Sequence, residues 1–152
     1  MRKRKIPFPQ ANSLERIYGI FMYIDGAGIS KFDMIKREGL AEREGAYYLD
    51  ALYFLGFVDK FNTKYFLSGY GVDLQGKCKE NGRESFAKAI LEKEFFGKVF
   101  VERKSFEDDK KFRDYVAHKV SNDYDLGLNT AKRRTSTVVA WLQWIEINLK
   151  ES

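Results

Sequence analysis

One short segment limits the possible folds more than any other: Phe57-Val58-Asp59-Lys60-Phe61, then Asn62-Thr63, then Lys64-Tyr65-Phe66-Leu67. Two aromatic, β-favouring runs around a two-residue polar turn predict a β-hairpin. What precedes it reads as helix. Leu14, Ile17, Tyr18, Phe21 and Ile24 recur at helical spacing behind Asn12-Ser13-Leu14-Glu15, which resembles a capping box. Asp25 to Gly28 breaks that pattern, and Ser30 is the expected N-cap of a short helix ending at Gly39. A third helix fits Ala41 to Leu55, with Ala41, Gly45, Tyr48, Ala51, Leu52 and Leu55 on one face and Gly56 closing it. Three helices and then a hairpin is the order of a winged helix, whose second and third helices form a helix-turn-helix.

The second half is read by comparison with the first. Ser68 to Gly82 is rich in Gly, Lys and polar groups and reads as a connector with room for a short helix. From Arg83 the helical pattern resumes through Phe86, Ala89, Ile90 and Phe96, and Val99-Phe100-Val101 suits either a strand or a continuation. Ser105 is the expected cap of a further helix, with Glu107, Asp108 and Asp109 in its first turn and Phe112, Tyr115, Val116 and Val120 on its apolar face. After a turn at Asn122 to Gly127, Thr130-Ala131-Lys132-Arg133-Arg134 can be laid against Leu40-Ala41-Glu42-Arg43-Glu44. At the same offset Tyr48 meets Val138, Ala51 meets Trp141, Leu52 meets Leu142 and Leu55 meets Ile145. The agreement of apolar phases predicts two copies of one supersecondary unit.

The expected fold class is therefore mainly α with small β-hairpins, an α+β tandem winged helix-turn-helix. Its expected divisions are a basic flexible arm over residues 1–11, a first unit over 12–80 and a second over 81–152. The second wing is expected to be truncated to one strand at Glu146 to Leu149. An unpaired edge seeks a partner, either Val99 to Val101 or another chain, which leaves a homodimer possible.

Composition narrows the functions. The single cysteine, Cys78, permits no disulfide within the chain and fits a cytoplasmic protein. The single histidine, His118, leaves little for a zinc site, and no cofactor is expected. No apolar run is long enough to span a membrane, and the charged N-terminus lacks the apolar segment of a secretory signal. The formal net charge is +5, and Arg2, Lys3, Arg4 and Lys5 account for four of those charges. Arg2 and Arg4 thus form either a solubilising tail or a nucleic-acid contact. The compact cluster that remains is Lys132, Arg133 and Arg134.

On a helix from Asn129 to Ile145, residues Ala131, Thr135, Val138, Trp141, Leu142 and Ile145 face inward, with Arg134 at the edge. Lys132, Arg133, Ser136, Ala140 and Gln143 face outward. Cations neutralise phosphate or read guanine, glutamine reads adenine, and small residues permit close approach, so this stripe suits double-stranded DNA. Thr130 is the expected N-cap of a helix start that itself attracts phosphate. Lys-Arg-Arg in a first turn opposes the helix dipole, which argues for a compensating role, although Arg134 has acids such as Asp123 or Asp125 within sequence reach. The corresponding stripe of the first unit carries Glu42 and Asp50. That unit is either a scaffold or a second contact, through Arg43, Tyr47 and the wing residues Lys60, Asn62 and Lys64.

The segments IPFPQANSLERI, EREGAYYLDALYFLGFV and TAKRRTSTVVAWLQWI together resemble a tandem winged-helix module that accompanies nucleases in type II restriction endonucleases and related restriction-modification proteins. The resemblance covers about Ile6 to Ile145. It implies sequence recognition of double-stranded DNA, with a nuclease or methyltransferase subunit as possible partner. The nuclease domain of that pattern is missing from this sequence. Glu102-Arg103-Lys104 after an apolar run has the Glu-x-Lys form of a metal-nuclease strand, but the nearest candidates for its further acid, Glu84 and Glu92, lie in a helical pattern. A transcriptional regulator and a winged-helix protein adaptor are the alternative readings.

Overall fold

The computed structural model describes residues 7–150. The chain opens with α1 (Leu14–Tyr23), β1 (Ile29–Ser30), α2 (Lys31–Glu38), α3 (Glu42–Phe54), β2 (Val58–Phe61) and β3 (Lys64–Leu67). It continues entirely as helix: α4 (Gly69–Asn81), α5 (Arg83–Leu91), α6 (Glu94–Glu102), a 3₁₀ turn at Arg103–Ser105, α7 (Asp109–Tyr124) and α8 (Leu128–Lys150). The fold is mainly α with one small antiparallel sheet.

Local chemistry explains the first half. The Ser13 hydroxyl accepts from Arg16 N–H at 3.1 Å and starts α1, and the Ser30 hydroxyl accepts from Asp33 N–H at 3.0 Å and starts α2. Gly39 ends α2 in the left-handed conformation at φ 68, and Gly56 follows α3 at φ 78. The hairpin register runs from Val58↔Leu67 to Phe61↔Lys64, around a turn in which Asn62 takes φ 56. β1 pairs with the other edge of β3, giving the order β1-β3-β2. Tyr65 O–H donates to Asp50 at 3.1 Å and ties the sheet to α3. Burial, reinforced by that carboxylate, pushes the Tyr65 phenol well above its ordinary value.

The second half departs from expectation in several places. Ser68 to Gly82 is no connector, because α4 fills it. The Ser68 hydroxyl accepts from Gly71 N–H at 2.9 Å and donates to Gly56 C=O at 2.7 Å. Gly71 lies against the Phe57 carbonyl, where a Cβ would collide. Gln75 then donates to the carbonyls of Phe21 (2.9 Å) and Ile24 (3.0 Å), closing the C-terminal end of α1. Tertiary hydrogen bonds make a helix from a glycine-rich sequence of weak propensity.

Val99-Phe100-Val101 is helical within α6, and Asp108, not Ser105, caps α7. The expected strand at Glu146 to Leu149 does not form, since α8 runs on to Lys150. No glycine or proline stands there to stop it, and Asn148 Nδ2 donates to the Trp144 carbonyl at 2.7 Å within the same helix. The truncated wing and its open edge are therefore corrected to helix. Part of the expected flexible arm is corrected too. Phe8 packs its ring within 5.4 Å of Phe54 and 4.9 Å of Tyr124, centroid to centroid, and Ala11 is buried. Arg2 and Arg4 lie outside the described residues. A single cluster of buried side chains joins Phe8, Phe21, Leu52, Phe57, Phe86, Phe96 and Trp141.

Candidate nucleic-acid interface

α8 is the longest element and packs against α7, α5 and α1. The six positions expected to face inward, Ala131, Thr135, Val138, Trp141, Leu142 and Ile145, are all buried. Thr137 and Val139 are buried as well, because a helix with neighbours on several sides has a wider covered face. Thr137 O–H donates to Asn12 at 2.6 Å, and Trp141 Nε1–H donates to the Ala11 carbonyl at 2.8 Å. These bonds fix α8 across the start of α1. Asn12, read from sequence as a cap, serves this contact while Ser13 caps.

Most of the outward stripe is where the sequence puts it: Lys132, Arg133, Ser136 and Gln143 are exposed, whereas Ala140 is half-buried. Thr130 is corrected from N-cap to helix interior, since α8 begins at Leu128; its hydroxyl accepts from Arg133 Nη2 at 3.3 Å. The two adjacent arginines of the cluster differ in burial. Arg133 is exposed, whereas Arg134 is half-buried. Burial, and then the adjacent Arg133 guanidinium, lower the Arg134 pKa from the usual arginine value, while Tyr47 opposes that change. Asp123 does not neutralise Arg134, because it is held by Lys119 at 2.9 Å; no ion pair joins Arg134 to another described residue.

Tyr47 links the two halves. Its phenol oxygen accepts from Arg43 Nε at 2.9 Å on α3 and lies within electrostatic reach of Arg134 on α8. Arg43 and Arg134 thus meet one tyrosine from helices far apart in sequence, with Arg133 beside Arg134. Glu42 and Glu44 are exposed on the same turn of α3 and reduce the positive field there. Residues 16–150 match a family described as a domain of unknown function, DUF7226. The chain belongs to that family. No curated protein and no solved structure matches it.

The matched span of this DUF7226 domain includes every residue of the arginine cluster. It also includes the hairpin, where Lys60 and Lys64 are exposed and Lys60 Nζ stands 5.4 Å from the Tyr65 ring centroid. Phe61 is 69% exposed beside them. Its composition as part of an aromatic run concealed it among expected sheet residues. The tryptophans serve packing: Trp141 is buried and stacked on Phe96 at 5.2 Å, and half-buried Trp144 lies against Phe86 at 6.0 Å while its Nε1–H donates to Glu15 at 3.0 Å. The Glu102-x-Lys104 pattern ends α6 and enters the 3₁₀ turn, so the strand that its nuclease reading requires is not formed. Among the described residues, no group of three His, Cys, Asp or Glu gathers as a metal would need. Nor is any helix among them long and apolar enough to cross a membrane.

Proposed function

We propose that this chain is a double-stranded DNA-binding protein in which residues 14–67 form a winged helix and α8 supplies the principal phosphate contact. The element order and the β1-β3-β2 sheet support the winged-helix reading. The arginine cluster carries the functional one. Arg133 and Arg134 are adjacent like charges, the second half-buried, and no ion pair joins Arg134 to an acid among the described residues. Such an arrangement opposes folding slightly and is favourable once a polyanion arrives. Glu42 and Glu44 repel phosphate, so contact centres on α8 with Arg43 and Tyr47 at its margin. Service to a nuclease or methyltransferase rests on the sequence resemblance alone and is not needed for this reading.

The test is fluorescence anisotropy with a labelled duplex over a salt series. Contact through several phosphates makes log K fall with log salt at a slope of about −0.9 per phosphate neutralised. Exchanging both Arg133 and Arg134 for Ala should lower the steepness by about 2 while the circular dichroism stays native. A wild-type protein that ignores duplex DNA at low salt is instead a protein adaptor, for which the acidic turn of α3 is the surface.

A further inference from the structure

The hairpin carries a feature that phosphate contact does not use. Phe61 closes the β2–β3 turn opposite Lys64, with Lys60 preceding it. It remains 69% exposed in a protein that buries Phe8, Phe21, Phe57, Phe86, Phe95, Phe96 and Phe112. Phe32 is more exposed still, at 74%, but it stands between Lys31 and Asp33, where charges cancel. Only Phe61 has lysines on both sides of the turn.

The mount is stiff. A two-residue turn with Asn62 at φ 56 leaves little slack, and the register is paired through Phe61↔Lys64. One residue back, Lys60 lies over the Tyr65 ring, and Tyr65 is bonded to Asp50 of α3. Phe61 and Lys64 share the sheet face opposite to Tyr65, by the alternation of strand side chains. Asp59 lies on that same face, farther from the tip and paired with Phe66. A pair of strands is too bulky to enter a minor groove about 6 Å wide, but a single phenyl ring at its tip is not.

We propose that Phe61 is a wedge that enters the DNA minor groove, partly unstacks one base step and bends the duplex, while Lys60 and Lys64 hold the flanking phosphates. This rests on the DNA-binding reading above. Burial of an exposed ring between bases is the favourable term, and unstacking is the cost, lowest at flexible pyrimidine–purine steps.

The experiment uses the full chain with duplexes of about 25 bp carrying central TA steps and a dye at each end, so that energy transfer reports bending and anisotropy reports binding. The wild type should bind and bring the ends closer. Phe61→Ala should bind within about tenfold of wild type yet leave the duplex straight, and Phe61→Trp should restore the bend. Lys60→Ala should weaken binding and reduce the salt slope by about 1 with the bend retained at saturation. If the wild type binds without bending, or if Phe61→Ala bends DNA as well as wild type does, the wedge is refuted and DNA binding stands. If the wild type binds no duplex, both readings fall.

Discussion

α3 and α8 have the same apolar phase and different fates. Gly45, Ala51, Leu52 and Leu55 are buried in and after one, and Thr135, Trp141, Leu142 and Ile145 in the other. Yet α3 stops after 13 residues, while α8 runs for 23. The cause is local. Gly56 takes a left-handed conformation that turns the chain into β2, whereas nothing after Ile145 offers a comparable exit. Matching inward faces therefore reveal shared packing, not a shared successor. The outer faces differ as well: α3 presents Glu42 and Glu44 around Arg43, and α8 presents Lys132 and Arg133 with no acid between them. The two helices meet electrostatically where Tyr47 of α3 acts on Arg134 of α8.

The sharpest way to break the comparison is to ask whether the halves fold separately. Trp141 is fully buried, stacked on Phe96 and bonded to Ala11, so Trp141→Ala should cost about 3–5 kcal/mol. Urea denaturation should show one transition shifted as a whole, because one cluster of buried residues spans both regions. Two transitions, with the earlier one alone displaced, would show that α8 and α3 belong to independent units.

Arg134→Ala and Arg133→Ala should each weaken duplex binding by about 1–3 kcal/mol, with melting temperature unchanged or raised once like-charge repulsion is relieved. Arg43→Ala should cost less, because Glu42 and Glu44 already weaken that site. Equal losses at Arg43 and Arg134 would erase the asymmetry drawn between the two helices.

Gly56→Ala forces a side chain into φ 78 and should destabilise by about 1–2 kcal/mol, since the left-handed region costs an L-residue that much. At the following helix, Ser68→Ala should cost about 1 kcal/mol through loss of the cap on α4. Thermal melts read both. The smallest effect is alkaline. Burial pushes the Cys78 thiol from 9.0 up to about 11, so the folded state resists ionisation. Its contribution is intact below pH 9 and is lost as pH climbs toward 11, a fall that a Cys78→Ala control should lack.

Much of the first half was legible because its signals are local. Ser30, Gly39, Gly56 and the Asn62-Thr63 turn each act on neighbours a few residues away, and each appears where the sequence places it. The inward and outward faces of α8 were legible for the same reason, since helical periodicity needs no partner. α4 was not, because Gly69, Gly71 and Gly76 give it little propensity and its helix is secured by bonds to Gly56, Phe21 and Ile24. The helical end of α8 was not legible, because a short run with Ile147 suits strand or helix and, without a glycine or proline to stop it, the helix simply propagates.

By itself, then, the sequence determined which side chains are apolar, where α2 and α3 stop, and that cations cluster at Lys132 to Arg134. Only the tertiary structure decided that Arg134 would come near Tyr47 rather than an acid, and that Phe61 would be left in solvent. Periodicity and capping are properties of a short stretch, but the surroundings of a charge depend on residues brought close by packing, and their sequence separation carries no trace of that meeting.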